Sequence, residues 1–259
     1  MSFGPSNEFA SAASAEVISK LNETMPELKN GLPRWVEATI AFIGLIIAAP
    51  FMMLTAVAIV VSSGRPVFFR QRRVGQNGRM FDLYKLRTMR SSSAGPQITS
   101  SRDERITPVG RFLRRTKLDE LPTLWNVLRG DMALVGPRPE VPRYVDASDR
   151  LWRAVLSVKP GITDPVTLRL RREEDLLARV NGDALNYYVK ELQPAKLRGY
   201  LAYLEQRNWR TDLSVLWQTV AAVVIPGKAS ALGEAPYPRK SEVAEAASME
   251  TSFSNDRSK

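Results

Sequence analysis

Asp119 and Glu120 are adjacent, and Pro122 follows two positions later. Proline is tolerated in the first turn of a helix and not beyond it, so the acid pair is expected at a helix N-terminus. There it lies near free backbone N–H groups and the positive end of the helix dipole. Two neighbouring carboxylates can divide labour. One can attack phosphorus and form an acyl phosphate. The other can bind Mg²⁺, which takes one or two carboxylates and completes its shell with phosphate oxygens and water. An acid pair at a helix start also serves as plain capping, and the surrounding residues must decide between the two roles.

Those surroundings are basic. Gly136-Pro137-Arg138-Pro139 presents one guanidinium on a turn stiffened by two prolines, a geometry suited to bidentate phosphate binding. The same turn could carry an ordinary surface arginine. Lys85 and Arg87 alternate with Leu86 on an expected strand and so share a face, which could equally be a solvated one. Arg114 and Arg115 stand just before the acid pair, where they could also compensate a helix C-terminus. The candidate site is therefore Asp119 and Glu120 as catalytic and metal-binding residues, with Lys85, Arg87, Arg114 and Arg138 on the substrate.

Composition narrows the chemistry. The chain of 259 residues contains no Cys and no His. A Cys nucleophile, a His base, a Ser-His-Asp triad, a Cys/His zinc site and a disulfide are all excluded. Carboxylates, hydroxyls, lysine and a hard metal ion remain. The formal net charge of +10 attracts an anionic partner. Nucleic acid, anionic lipid and phosphorylated small molecules all qualify on charge alone.

The elements around the site follow from local pattern. Residues 1–32 read as a weakly ordered arm, with a short helix at Ala13–Leu21. Ala38–Val61 has no charged residue and is long enough to cross a bilayer, with Arg34 and Trp35 before it and Arg65 and Arg70 after it. Pro50 should kink or break this helix. A re-entrant hairpin, a kinked span and a buried soluble helix compete, and the first is favoured. Pro66–Met89 reads as β structure with an Asn77-Gly78 hairpin turn, followed by a Ser91–Ser101 loop. Thr107-Pro108 reads as an N-cap with proline at the first helical position. Leu121, Leu124, Val127 and Leu128 fit one helical face that Gly130-Asp131 stops. Met132–Val135 is extended, Lys159–Asp164 is a turn, and Ala195–Ile225 is helical. Trp209 and Trp217 suit an amphipathic interfacial helix. Residues 227–259 read as a disordered tail.

Five motifs stand in fixed order: Phe69-Arg70-Gln71-Arg72-Arg73-Val74-Gly75, Tyr84–Met89, Arg114–Pro122, Gly130–Pro139 and Lys159–Thr163. Together they resemble the bacterial sugar transferases of the monotopic polyprenyl-phosphate phosphoglycosyltransferase type. The resemblance runs from about Arg34 to Val224. It implies an α+β, mainly helical monotopic membrane protein. Such a fold has a re-entrant helix broken at Pro50 (residues 33–64), a small β-hairpin unit and interfacial amphipathic helices, with a cytoplasmic catalytic domain over residues 65–226. The implied reaction moves a sugar 1-phosphate from a UDP-sugar to undecaprenyl phosphate and releases UMP, initiating assembly of an exopolysaccharide, capsule, O-antigen or glycoprotein glycan. It implies Asp119 as nucleophile, Glu120 as Mg²⁺ ligand, Lys85, Arg114 and Arg138 as phosphate and nucleotide contacts, and a place at the bacterial inner membrane facing the cytoplasm. Two departures stand out. Ala49 precedes the proline where relatives often have Ser, and the short N-terminal arm resembles the minimal catalytic form.

Three rival readings differ in class. A true glycosyltransferase would release UDP. A non-enzymatic scaffold of a polysaccharide-export complex would use the acid pair only as a cap. A nucleic-acid binder is opposed by the uncharged Ala38–Val61 segment. The sequence names no sugar and leaves homo-oligomerisation open. Leu168–Asp175 and Val180-Asn181-Gly182 are the stretches left to shape a sugar pocket.

Overall fold

The computed structural model describes residues 31–90, 103–170, 173–178, 180 and 184–224. The expected helix at Ala13–Leu21, the Ser91–Ser101 loop, Asn181-Gly182 and the tail at 227–259 lie outside them. The fold is mainly helical with two small sheets, as expected of the α+β class.

Helix α1, Arg34–Ser63, opens the described chain. Its buried side chains, Glu37, Ala41, Ala48, Thr55 and Ile59, fall on one stripe at helical spacing. Small residues on that stripe allow close packing: a Cβ added at Gly44 would lie 3.2 Å from Leu124 Cδ1. The rest of the helix is bare. Ile47, Leu54 and Val61 are 72–82% exposed, and only 17% of the apolar window is buried. A soluble core helix would be mostly buried, so that reading fails. The break expected at Pro50 is absent: helical backbone continues through it. One missing hydrogen bond and its steric cost, ~3 kcal/mol, do not end a helix of this length and apolarity. Gly64, at φ +75°, ends it.

Strands β1 (Phe68–Val74) and β2 (Met80–Leu86) form the expected antiparallel hairpin. Asn77 and Gly78 supply the two positive φ values of its turn, 54° and 76°. Helix α2, Pro108–Thr116, starts as the sequence indicates: Thr107 Oγ1 accepts from Gly110 N–H at 2.9 Å, and Pro108 needs no donor there. Lys117 follows in the left-handed region, at φ 60°. The acid pair then occupies a 3₁₀ turn, Leu118–Glu120, ahead of α3 (Thr123–Arg129). It precedes the α-helix rather than sitting in its first turn. Gly130, at φ 90°, stops α3.

Strand β3, Ala133–Val135, leads to the Arg138 turn. Helix α4 is Arg150–Leu156. The turn expected at Lys159–Asp164 instead contains β4, Gly161–Thr163, parallel to β3. Short helices α5 (Pro165–Arg169), α6 (Glu173–Ala178) and α7 (Ala184–Tyr187) follow. A π-helical turn, Tyr188–Leu192, joins α7 to α8 (Gln193–Gln206). The single helix expected from Ala195 is two: α9 begins anew at Trp209 and runs to Val224. Asn208 makes the second start, its Oδ1 accepting from Arg210 and Thr211 N–H. Asp212, wholly buried, fixes the corner by accepting from Tyr203 OH and Leu32 N–H. The main core joins Ala41 of α1, Phe81 and Leu83 of β2, Val127 of α3, Leu134 and Val135 of β3, and Tyr203 and Val215 of the last two helices.

Candidate active site

Asn126, on α3 and wholly buried, ties the hairpin to the acid pair's helix. Its Nδ2 donates to Asp82 O at 2.7 Å, and its Oδ1 accepts from Tyr84 N–H at 3.2 Å. The side-chain amide thus imitates a neighbouring strand along β2 and sets the position of Lys85. The Asn126 carbonyl also accepts from the N–H groups of Gly130, Asp131 and Met132, which turns the chain into β3. From β3 the chain reaches Arg138. That turn is locked against β4: Gly136 N–H donates to Thr163 O, and Gly161 N–H donates to Pro137 O, both at 3.0 Å. The backbones are so close that a Cβ on Gly161 would stand 2.1 Å from Gly136 N.

Glu120 lies where these two supports converge. Lys85 Nζ is 2.8 Å from its Oε1, and Arg138 donates to both carboxylate oxygens at 2.5 and 3.3 Å. Burial alone would raise the Glu120 pKa, but the charges of Arg138 and Lys85 outweigh it and hold the carboxyl well below the usual range. The Glu120 charge raises Arg138 in return. Burial lowers the Lys85 pKa against the pull of Glu120.

Asp119 is different. It is buried, yet its Oδ1 has no hydrogen-bond partner. Burial raises its pKa, opposed by Lys85 and reinforced by the charge of Glu120. An unpartnered buried carboxylate oxygen is costly to the fold, by about 1–3 kcal/mol, and such a group calls for an explanation. Among the described residues no cluster of three His, Cys, Asp or Glu could hold a metal by itself. The pair nevertheless fits Mg²⁺ in the manner usual for that ion. Asp119 and Glu120 are the one or two carboxylates that ion takes, and water and substrate phosphate would supply the rest.

Both acids line a cavity of about 1020 Å³ with Lys85, Arg87, Arg114 and Arg138, so all six expected site residues face one space. Ten cationic side chains line it against five acidic ones, so it favours an anion. Arg114 is held by Thr88 Oγ1 at 2.8 Å and Glu174 at 3.2 Å. Arg87 does not share the setting of Lys85. It lies beyond the end of β2, and its Nη2 donates to Ser63 O at 2.8 Å and to Gly64 O, fastening the C-terminal end of α1. The strand expected to carry both residues stops at Leu86, and the end of α1 draws the Arg87 guanidinium to itself.

Other lining residues carried weaker sequence signals. Arg73 donates to Glu140 Oε1 at 3.3 Å and to Pro139 O at 2.9 Å, bracing the Arg138 turn from the hairpin. Tyr188, in the π-helical turn, donates to the other oxygen of Glu140. Lys196 pairs with Glu173 at 3.1 Å and lies over the Tyr188 ring. Arg73 and Glu140 stand at motif edges. Tyr188 and Lys196 stand in no motif, and only the fold brings them in. Of the stretches set aside for a sugar pocket, Leu168, Leu170, Glu173 and Glu174 do line the cavity.

Residues 28–226 match the family model described as bacterial sugar transferase. A UDP-glucose:undecaprenyl-phosphate glucose-1-phosphate transferase of Xanthomonas campestris is 45% identical over 202 residues, covering 76% of this chain and 38% of that protein. A protein of the same name from Caulobacter vibrioides is 36% identical over 181 residues, covering 68% of this chain and 63% of the relative. An undecaprenyl-phosphate galactose phosphotransferase of Salmonella typhimurium is 35% identical over 216 residues, covering 74% of this chain and 40% of the relative. With its acid pair, basic cavity and exposed apolar helix matched by that family model over most of its length, the chain belongs to the bacterial sugar transferase family.

Proposed function

We propose that this chain transfers a sugar 1-phosphate from a UDP-sugar to undecaprenyl phosphate and releases UMP. The carrying observation is the asymmetry of the acid pair: Glu120 is bound through both oxygens to cations, whereas Asp119 Oδ1 is buried and unpartnered. The Asp119 carboxylate, left out of the cation clamp that holds Glu120, is the available nucleophile. In the first step Asp119 attacks the β-phosphorus. The bond from that phosphorus to the bridging oxygen breaks, and UMP leaves with the electron pair. In the second step an oxygen of the lipid phosphate attacks the same phosphorus and the Asp119 carboxylate departs. Lys85 and Arg138 keep Glu120 ionised and lend positive charge to the phosphates, which is where negative charge must be held. Arg114 orients the phosphates from the other side. Mg²⁺, when held by Asp119 and Glu120, would offset phosphate charge.

The acceptor is a lipid, and the bare surfaces of α1 and α9 suit one. Trp209 and Trp217, on α9, are 52% and 73% exposed, as aromatic residues at a membrane interface would be. Both ends of α1 are held by the same folded body, Arg34 donating to Leu128 O and Ser63 O accepting from Arg87. Ends held on one body favour an α1 that meets the membrane from one side without a break at Pro50; we read residues 65–226 as the catalytic domain, on the cytoplasmic side of the bacterial inner membrane.

The test is nucleotide release by detergent-solubilised protein with Mg²⁺, undecaprenyl phosphate and a panel of UDP-sugars. UMP release that Asp119→Asn abolishes is the expected result, and the productive donor names the sugar. UDP release would make the chain a glycosyltransferase. No nucleotide from any donor would favour the non-enzymatic scaffold.

A further inference from the structure

Lys117 is the residue whose conformation and charge are not accounted for by the fold. It is one of two described non-glycine residues with positive φ, at 60°. Its backbone has a clear task there: the N–H caps α2 through Arg114 O and Leu113 O, and the carbonyl accepts from Glu120 N–H, which bends the chain into the acid-pair turn. Glycine, or asparagine, is the usual residue for that task, because a Cβ in the left-handed region is strained. The strain of a lysine brings α2 nothing. Strained residues of this kind cluster where the side chain is used.

The side chain lines the cavity. The neighbouring cations are already committed: Lys85 and Arg138 to Glu120, Arg73 to Glu140, Arg114 to Glu174, and Lys196 to Glu173. Among the described residues the ammonium of Lys117 has neither an ion pair nor a hydrogen bond. It stands two positions before Asp119, where its charge acts on both Asp119 and Glu120 without being hydrogen-bonded to either.

We propose that Lys117 is a further substrate-binding residue, whose ammonium takes a phosphate oxyanion of the incoming substrate beside Asp119. The inference rests on the function proposed above. The oxyanion could belong to the donor diphosphate or to the lipid phosphate.

The experiment uses the full chain in detergent and compares Lys117→Gly and Lys117→Arg with wild type. Glycine fits the left-handed position, so Lys117→Gly should unfold at the same temperature or a few degrees higher. Its kcat/KM should fall roughly 10- to 100-fold, the range for losing a hydrogen bond to a charged group, while Lys117→Arg keeps most of the rate. Titration with UDP locates the oxyanion. Weakened UDP binding with a raised KM for the UDP-sugar assigns Lys117 to the donor; unchanged UDP binding with a raised KM for undecaprenyl phosphate assigns it to the acceptor. A Lys117→Gly protein with wild-type kinetics for both substrates overturns the proposal and leaves the function standing. A wild type that neither binds UDP nor releases UMP removes both.

Discussion

The acid-pair cavity and the surface of α1 break the usual rule of protein interiors in opposite directions. Around Glu120, charged side chains are drawn out of water: Asp119 is buried at 7% exposed, and the half-buried Lys85, Glu120 and Arg138 are tucked against one another. Along α1, large apolar side chains are bare, Ile47 at 72% and Val61 at 82%. Each is costly in water by itself. A buried charge must be paired. An exposed apolar face of this extent needs a partner. The two meet at the C-terminal end of α1, where Arg87 of the cavity wall holds the carbonyls of Ser63 and Gly64. A basic cavity therefore lies against an exposed apolar segment, and the proposed acceptor, a lipid phosphate, has both chemistries in one molecule.

The largest effect should come from breaking the paired half. Glu120→Gln leaves Lys85 and Arg138 as half-buried cations without their counter-ion. The expected loss is about 3–5 kcal/mol of stability together with the activity, read by thermal unfolding and UMP release. An unaltered unfolding temperature would show that the three groups are not coupled as the geometry indicates. Next comes Asn126→Leu, which strands Tyr84 N–H and Asp82 C=O on β2. It should cost roughly 2–4 kcal/mol and lower kcat through displaced Lys85, and urea unfolding would report it.

On the apolar side the effects should be smaller and of another kind. Trp217→Ser removes a side chain that is 73% exposed, so unfolding in detergent should change little. Vesicle binding should weaken by about 1–3 kcal/mol, measured by flotation. A drop in stability without loss of vesicle binding would mean that α9 faces protein.

The pH dependence sharpens the difference within the acid pair. Glu120 is held low, so its contribution to stability is present above the unfolded-state pKa and is lost only as pH falls through the depressed folded value. Asp119 is raised, so the folded state keeps its proton longer than the unfolded chain. Its contribution to stability falls as pH rises from the ordinary aspartate range through the raised value. Activity needs the ionised form and should fade on the acid side at a higher pH than for a solvated aspartate. Asp119→Asn should be at least as stable as wild type near neutral pH, which a scan of unfolding temperature against pH would show.

Much of this site was legible because its signals are local. Asn77-Gly78 fixes the hairpin, Thr107-Pro108 starts α2, Gly130 ends α3, and the two prolines around Arg138 announce its turn. What the sequence hid depends on distant partners. Gly161–Thr163 is a strand because β3 lies alongside it, and no three-residue run can announce that. The helix expected from Ala195 divides at Asn208 because buried Asp212 ties the corner to Leu32 and Tyr203. Arg87 looked like a twin of Lys85, and the free carbonyls at the end of α1 gave it another role. Pro50 does not break α1, because the apolar run on either side carries the helix through it.

The most direct test of Asp119 as the nucleophile is intact-mass measurement of the protein after mixing with the productive UDP-sugar and Mg²⁺, without any acceptor. The expected result is a mass increase equal to one sugar phosphate, mapped to Asp119, formed together with UMP and lost on adding undecaprenyl phosphate. UMP release that requires the acceptor from the start, with no adduct on Asp119, would contradict it.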